Sequence, residues 1–228
     1  MKLYIANKNY SSWSLRPWVL MHELKLEFEE IKQPFTEGSN WQSFRKFSPN
    51  GMVPCLVEND CVIWDSLAIT EYLAESYPNV WPELKQARTW ARCASAEMHS
   101  GFMHLRNQCA MNCGLRIELN TIDEDLQKDI NRIDELWNQG LQDFGGPFLA
   151  GSKFTAVDAF YAPVAFRVQS FGLKISQLAQ DYMNRLLTLE SMQSWYQQAL
   201  EEPWREKNHE LEALNSGKIL KDYRNNAQ

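Results

Sequence analysis

The chain has 228 residues, of which 44% are hydrophobic and 23% charged, a composition typical of a globular protein large enough to bury a core. Its formal net charge of −6 argues against a general nucleic-acid binder, which would carry a basic face. No apolar run approaches the roughly 20 residues that span a bilayer, so we expect no membrane-spanning helix. The opening letters M-K-L-Y-I-A-N alternate as in a strand and do not resemble a signal peptide, so we expect no membrane partner and no export.

The first part of the chain alternates between strand and helix patterns. Residues 2–7 predict a strand, and the helical pattern that follows runs from Ser14 to about Lys25, with Ser14 as its N-cap and Pro17 in its first turn. Phe28–Phe35 is a second candidate strand. The remaining elements are a short helix near 40–47, a hairpin formed by 53–58 and 61–64, and a helix that begins at Asp65 or Ser66.

Strand patterns nearly vanish after residue 83. Helical segments are predicted at 83–108, 121–143, 155–171 and 176–201. Thr155 and Asp158 have the spacing of a capping box at the start of the third segment, with Asp in the place of the usual Glu. The sequence therefore predicts an α/β domain over 1–78 and an all-helical domain over 84–228, joined by the proline-containing stretch Y-P-N-V-W-P.

The cysteines predict neither disulfides nor a metal site. There are five of them, an odd number, and none forms a C-x-x-C pair. His99 and His104 lie five residues apart, which places them on different faces of a helix. Reduced thiols in a cytoplasmic protein without a metal are therefore expected.

Four motifs, in this order and spacing, resemble the cytosolic glutathione S-transferases over nearly the whole chain. They are S-S-W-S-L-R at 11–16, M-V-P-C-L at 52–56, W-D-S-L-A-I at 64–69 and F-L-A-G-S-K-F-T-A-V-D at 148–158. The serine motif is most similar to the serine-type classes, such as zeta and tau, and the stretch A-E-M-H-S-G-F-M-H-L-R-N is similar to a bacterial branch. The resemblance implies a thioredoxin-like N-terminal domain with a mixed four-stranded sheet, a helical C-terminal domain and a homodimer.

The resemblance implies that glutathione is the co-substrate and that a serine hydroxyl stabilises its thiolate. The family pattern places this donor five residues before the arginine, which selects Ser11 for Arg16, and Ser12 is the alternative. A third possibility is that all the serines only form the turn and the helix cap. Arg16 is expected to hold the start of the helix.

Four further positions are implied in glutathione binding. A cis peptide between Val53 and Pro54 would leave the Val53 backbone free to pair with a peptide-like ligand. Asp65 and Ser66 open a helix, where unpaired N–H groups attract a carboxylate, and Asp65 would face the ammonium group of the γ-glutamyl end. Without the family pattern, Pro54 would simply start a strand, and the Asp-Ser pair would be an ordinary helix cap.

The second substrate is expected between the serine motif and the helical domain. Candidate lining residues are Trp13, Met103, Arg106 and Met111, although Met and aromatic residues at such spacing are often plain core. Arg106 would suit an acidic electrophile or form a salt bridge. Two departures from the family stand out: Trp13 replaces the cysteine common in zeta members, and Met52 replaces a frequent lysine, so that Trp41 or Lys46 would have to contact the glycine carboxylate.

The expected function is therefore conjugation of glutathione to a small electrophile, with detoxification as its general role. Maleylacetoacetate-type isomerisation and peroxide reduction are alternative activities on the same thiolate. A non-catalytic scaffold that binds other proteins is the alternative from a different class. An intact serine motif together with Asp65 and Ser66 favours the enzyme.

Overall fold

The computed structural model describes residues 1–224, and its first part is built on a four-stranded mixed sheet. The strands are β1 (Lys2–Ile5), β2 (Glu29–Lys32), β3 (Cys55–Glu58) and β4 (Cys61–Trp64) in the order β2-β1-β3-β4. β1 is parallel to β2 and antiparallel to β3, and β3 and β4 form the predicted hairpin. Helices α1 (Ser12–Glu23), α2 (Trp41–Phe44) and α3 (Ser66–Ser76) connect and cover the strands. This is the thioredoxin-like arrangement that the family resemblance implies.

The start of α1 differs from the prediction. Ser11 rather than Ser14 is the N-cap, since its oxygen accepts a hydrogen bond from the Ser14 N–H. The Ser14 hydroxyl is turned toward β1 instead, where it accepts from the Ala6 N–H at 3.2 Å. Because the helix begins two residues earlier than predicted, Pro17 lies inside it and not in its first turn. The serine that looked best placed to cap from sequence spacing therefore ties the helix to the sheet.

The second part is helical, as predicted. After a short 3-10 turn at Pro78–Val80 the chain continues into a set of helices, which are α4 (Lys85–Ser100), α5 (Met103–Gln108), α6 (Glu124–Asp143), α7 (Ala156–Phe171), α8 (Gln177–Thr188), α9 (Glu190–Glu201) and α10 (Lys207–Ser216). α7 is buried along nearly its whole length and packs against α1, α4 and α8. Helix α7 therefore packs against both parts of the protein, through α1 in the first and α4 and α8 in the second.

The predicted capping box at the start of α7 is confirmed. The Asp158 carboxylate accepts from the Thr155 N–H at 2.9 Å. It also accepts from the Leu149 N–H and from the Tyr182 hydroxyl, both at 2.9 Å. Asp158 thus fixes three segments at the beginning of the central helix.

A two-stranded antiparallel sheet is an unpredicted addition to the helical part. Its strands are β5 (Leu115–Leu119) and β6 (Gly217–Asp222), which are about one hundred residues apart in sequence. Pairing with β5 holds the end of the described chain beside Gly114 and Leu115. Among residues 1–224, no helix combines the length and the apolar character needed to cross a bilayer.

Candidate functional site

A cavity of about 500 Å³ lies between the end of β1 and the helical part. Its lining includes Ser11, Ser12 and Trp13, together with Arg106 from α5 and Arg167 from α7. Further lining side chains come from the 35–53 segment, the loop after α5 and α10, and include Phe35, Trp41, Val53, Met111, His209 and Glu212. Both serines that the sequence singles out therefore face a space that a small ligand can occupy.

The hydrogen bonds of the two serines differ. Ser11 donates to the Ser14 oxygen at 2.7 Å and caps α1, so its proton is engaged within the serine cluster. The Ser12 oxygen accepts a hydrogen bond from Arg167 at 3.4 Å, and its own hydroxyl donates to no residue within 1–224. Ser12 thus has a free proton next to a buried cation.

Arg167 is a site residue that the sequence analysis missed. Its side chain is only 4% exposed, and its Nε donates to the Cys109 carbonyl at 2.9 Å. Its Nη1 is buried and has no hydrogen-bond partner within the described residues. Burial lowers the pKa of Arg167 to about 10, and the neighbouring Arg106 acts in the same direction. The residue stands in the apolar stretch of α7, where the sequence pattern indicates only core.

Trp13 lies between two arginines. The guanidinium of Arg16 is 4.1 Å from the centroid of the indole ring, and that of Arg106 is 4.7 Å from it. Arg16 is almost fully buried, which agrees with its expected role at the helix start. Burial lowers the pKa of Arg16 well below its usual value, with Arg106 and Arg167 adding to the effect. The site therefore has a positive character that the net charge of the chain does not suggest.

The peptide bond between Val53 and Pro54 is cis, as predicted. Val53 lies in the cavity wall, just before β3. Within residues 1–224 its backbone N–H and carbonyl have no hydrogen-bond partner. These two groups are available to pair with the backbone of an extended ligand, as an added strand would.

Asp65 and Ser66 do not line this cavity, although both are at the predicted start of α3. Asp65 is the N-cap, and its carboxylate accepts from the Leu67 N–H at 2.7 Å. Its φ of 76° lies in the left-handed region, a strained conformation for a residue with a side chain. Ser66 is buried and its hydroxyl oxygen accepts from Arg16 at 3.4 Å. Arg16 thus connects the start of α3 with the ring of Trp13.

His99 is a second residue that sequence reasoning did not place at the site. Its Nε2 is 3.4 Å from the Asp65 carboxylate, and its ring meets Trp13 edge to face. Burial lowers the pKa of His99, while the neighbouring Asp65 opposes this effect. In the sequence, the spacing of His99 from His104 relates only to metal binding. Among residues 1–224 no group of three or more His, Cys, Asp or Glu side chains could hold a metal ion.

The structure brings together three of the four predicted second-substrate residues. Trp13, Arg106 and Met111 line the cavity, whereas Met103 is 54% exposed and does not. No ion pair of Arg106 occurs within residues 1–224, and its guanidinium donates to the carbonyl of Gly101 at 2.9 Å and to those at the end of α4.

Helix α10 covers one side of the cavity. The His209 ring stacks on Tyr10 and on Phe35, at centroid distances of 4.8 and 5.1 Å. The Tyr10 hydroxyl donates to Glu210 at 2.5 Å, and Arg224 holds the same carboxylate from the other side. No local sequence pattern indicates this cover, because Tyr10 and Glu210 are 200 residues apart.

Comparisons with known proteins agree with this architecture. The family model for the glutathione S-transferase N-terminal domain matches residues 10–76, and that for the C-terminal domain matches residues 116–187. Glutathione S-transferase 1 of Dianthus caryophyllus is 27% identical over 78% of this chain and 81% of its own length. Maleylacetoacetate isomerase of Rattus norvegicus is 25% identical over 84% of this chain and 89% of its own.

Solved structures show the same fold. A glutathione transferase homologue from Burkholderia, crystallised with bound glutathione, superposes with a TM-score of 0.64 at 22% identity and covers 87% of this chain and 96% of its own. The tau-class enzyme of mango, Mangifera indica, gives a TM-score of 0.65 at 18% identity, with coverages of 86% and 91%. The two family models together account for more than half of the residues, one in each part of the fold. The chain belongs to the glutathione S-transferase superfamily.

Proposed function

We propose that the protein binds glutathione in the cavity beside the serine loop, stabilises its thiolate through a serine hydroxyl and conjugates it to a small electrophile. The observation that carries this proposal is the free hydroxyl proton of Ser12, which lies in the cavity at the N-terminus of α1. Glutathione is the co-substrate, and the protein is a transferase of alkyl or aryl groups.

A hydrogen bond from one hydroxyl group is strong enough to lower the pKa of the glutathione thiol by about two units. A thiol with a pKa near 8.5 is only a few per cent ionised at pH 7, and lowering its pKa by two units requires about 2.7 kcal/mol. A hydrogen bond to a charged acceptor contributes about 1.5–3 kcal/mol, and a helix N-terminus adds about 0.3–1 kcal/mol. Arg167 holds the Ser12 oxygen, which makes the Ser12 hydroxyl a stronger donor.

Ser11 supports the same site in a different way. Its oxygen caps α1 and its proton is directed to Ser14, so it fixes the loop from which Ser12 projects. In the competing arrangement the bond between the two hydroxyls is reversed, Ser14 donates to Ser11, and the Ser11 proton turns to the thiolate. The two arrangements predict different effects of removing the Ser14 hydroxyl on the thiol pKa of bound glutathione.

The peptide part of glutathione has two anchor points in the proposal. The unpaired Val53 N–H and carbonyl, preceding Pro54, pair with the backbone of the cysteine residue of glutathione. The N-terminus of α3, at Asp65 and Ser66, takes the γ-glutamyl end. The strained φ of Asp65 and its partly exposed carboxylate, which is 42% accessible, support a ligand contact there.

Isomerisation of a glutathione adduct is the second candidate activity. The observation that favours it is the 25% identity to the rat maleylacetoacetate isomerase over most of both chains. Trp13 in place of a cysteine weighs against a zeta-type reaction. Peroxide reduction and a scaffold role have no observation of their own in their favour.

The remaining parts of the proposal concern the whole protein. We divide the chain into a glutathione-binding domain at 1–78 and a helical domain at 84–228 that contributes to the second-substrate site, and we place the protein in the cytoplasm. A homodimer is supported by Val62 and Trp64, which are 39% and 43% exposed on the edge strand β4. Light scattering after gel filtration tests the dimer, with Trp64→Lys expected to shift it toward the monomer.

A glutathione-affinity column and thermal unfolding with glutathione test the proposed function. The chain should be retained and eluted by free glutathione, and its melting temperature should rise with glutathione concentration. A chain that flows through the column and shows no thermal shift with glutathione would refute the enzyme proposal and favour the scaffold.

A further inference from the structure

The cavity is lined by guanidinium groups that form no ion pair with a carboxylate within residues 1–224. Arg167 and Arg106 line it, and Arg16 lies behind Trp13. Within residues 1–224, none of the three has a carboxylate within ion-pair distance. Arg167 and Arg16 are 4% and 1% exposed, so their charges are largely removed from water. An unpaired buried cation is costly, and proteins usually provide it with an anion.

One guanidinium nitrogen of Arg167 lacks a hydrogen-bond acceptor within the described residues. Arg167 uses Nε for the Cys109 carbonyl and Nη2 for Ser12, and this leaves Nη1 buried without a partner. The guanidinium of Arg106 is held against Trp13 by carbonyls at the end of α4 and at Gly101. Both groups are therefore fixed by backbone acceptors, which orient them without neutralising them. The acidic side chain in the cavity wall is Glu212, which comes from α10.

We propose that Arg167, with Arg106, forms an anion subsite that selects electrophiles carrying a carboxylate. The proposal rests on the proposed function and names its substrate class. Glutathione itself is a poorer candidate for this anion, because its own anchors, Val53 and the start of α3, belong to the sheet-containing part of the fold. Arg167 and Arg106 belong instead to helices of the second part, α7 and α5.

The subsite acts on a defined reaction. With an aryl fluoride as the probe, the thiolate sulfur forms a bond to the ring carbon, the carbon–fluorine bond breaks, and fluoride leaves with the electron pair. No oxidant or reductant is needed. A carboxylate on the ring accepts hydrogen bonds from the Arg167 guanidinium and holds the reacting carbon beside the serine-bound sulfur.

The test compares 4-fluoro-3-nitrobenzoate with 4-fluoro-3-nitrobenzamide, which have similar shapes and differ in charge. For each probe, kcat/KM is divided by the rate constant of its uncatalysed reaction with glutathione. We expect the wild-type protein to favour the benzoate by about tenfold or more. Arg167→Met should bring this ratio close to one, and Arg167→Lys should retain part of it. Arg106→Gln should lower the ratio as a second, independent variant.

The benzoate-to-benzamide ratio of normalised kcat/KM distinguishes anion binding by Arg167 from other roles of this residue. If Arg167 acts only on Ser12 and the thiolate, both probes lose rate equally and the ratio does not change, and the proposal is overturned. A wild-type protein without preference for the benzoate overturns it as well. Arg185→Met, an exposed arginine of α8, is the matched charge control and should leave the ratio unchanged.

A binding measurement keeps this proposal distinct from the proposed function. Calorimetric titration with 3-nitrobenzoate, without glutathione, should show binding that 3-nitrobenzamide does not match and that Arg167→Met weakens by about tenfold. If glutathione does not bind but the nitrobenzoate does, the transferase proposal fails and the anion subsite stands. If glutathione binds and the nitrobenzoate and nitrobenzamide bind equally, the subsite fails and the transferase proposal stands.

Discussion

The Tyr10 hydroxyl donates to the Glu210 carboxylate at 2.5 Å, and this bond joins the residue before the serine pair to the helix that covers the cavity. Burial and the hydrogen bond to Glu210 raise the pKa of Tyr10, so the phenol remains protonated and a donor throughout the physiological range. The cover and the serine loop are therefore coupled through the Tyr10 side chain.

Tyr10→Phe should loosen the cover without unfolding the protein. Loss of one hydrogen bond is expected to cost about 1 kcal/mol of unfolding free energy, and amide exchange should accelerate mainly in residues 207–216. Hydrogen exchange followed by mass spectrometry measures this. The control is Tyr4→Phe, because the Tyr4 ring stacks on Phe47 and its hydroxyl has no hydrogen-bond partner within the described chain. Unchanged exchange in α10 would contradict the coupling.

Ser12→Ala should raise the thiol pKa of bound glutathione by one to two units, since about 1.5–3 kcal/mol of thiolate stabilisation is removed. Thiolate absorbance near 240 nm during a pH titration measures it, with glutathione affinity little changed. Ser11→Ala should mainly lower stability, by about 1 kcal/mol, because a helix cap is lost.

Ser14→Ala decides between the two hydroxyl arrangements. If Ser14 donates to Ser11 in the complex, its removal raises the thiol pKa together with Ser11→Ala, and Ser12→Ala has little effect. That result would move the thiolate contact to Ser11. In the arrangement proposed above, Ser14→Ala lowers stability through the lost contact to Ala6 and leaves the thiol pKa unchanged.

Asp65→Ala should weaken glutathione binding by about tenfold or more, because it removes the carboxylate assigned to the ammonium group. It also removes a helix cap, which costs about 0.5–2 kcal/mol of stability. Asp123→Ala is the matched control: Asp123 caps α6 through the Leu126 N–H at 2.8 Å and lies outside the cavity. Calorimetry on both variants separates the two effects, and equal loss of affinity would argue against a ligand contact at Asp65.

Asp158→Asn should destabilise the protein strongly. The carboxylate accepts from Leu149, Thr155 and Tyr182, and an amide nitrogen at one of its oxygens would face donors, at a cost of about 1–3 kcal/mol for each unsatisfied group. Urea unfolding measures the loss. Asp143→Asn makes the same charge change at an exposed position at the end of α6 and should lie within about 0.5 kcal/mol of wild type.

Asp158 should also make stability depend on pH. Burial raises its pKa to about 6 in the folded protein, above the value of 3.8 for an unperturbed side chain. A group whose pKa is raised on folding contributes stability below its unfolded pKa and loses it as pH rises through the folded one. The difference in unfolding free energy between wild type and Asp158→Asn should therefore shrink from pH 5 to pH 7.5. A difference that grows over this interval would contradict the assignment.

The features that the sequence predicted correctly depend on neighbours in the chain. The capping box at Thr155 and Asp158 and the β3–β4 hairpin are encoded within a few residues each. The cis bond between Val53 and Pro54 is implied by the resemblance of the motif M-V-P-C-L to that of the family. The N-cap of α1 was assigned to the wrong serine because its identity depends on Ala6, eight residues from Ser14 and in another element.

The features that sequence reasoning missed depend on distant contacts. The β5–β6 pair joins segments about one hundred residues apart, and no local pattern in either strand identifies the partner. Arg167 stands in an apolar stretch of α7, and its hydrogen bond to Ser12 joins residues that are 155 positions apart. Met103 is at a plausible helical spacing, but α5 turns it to solvent. Periodicity describes the environment of a helix face only when the packing around the helix is known.

The position of α10 also sets the order in which the site is assembled during synthesis. Ser12 leaves the ribosome early, whereas His209 and Glu212, which line the cavity, belong to residues 207–216. Contacts of such long sequence separation form late, because their loop-closure entropy must be overcome first. A nascent chain that already contains the sheet and α7 therefore has an open, unfinished cavity. Any protein or small molecule that meets the chain at that stage encounters the serine loop without its cover.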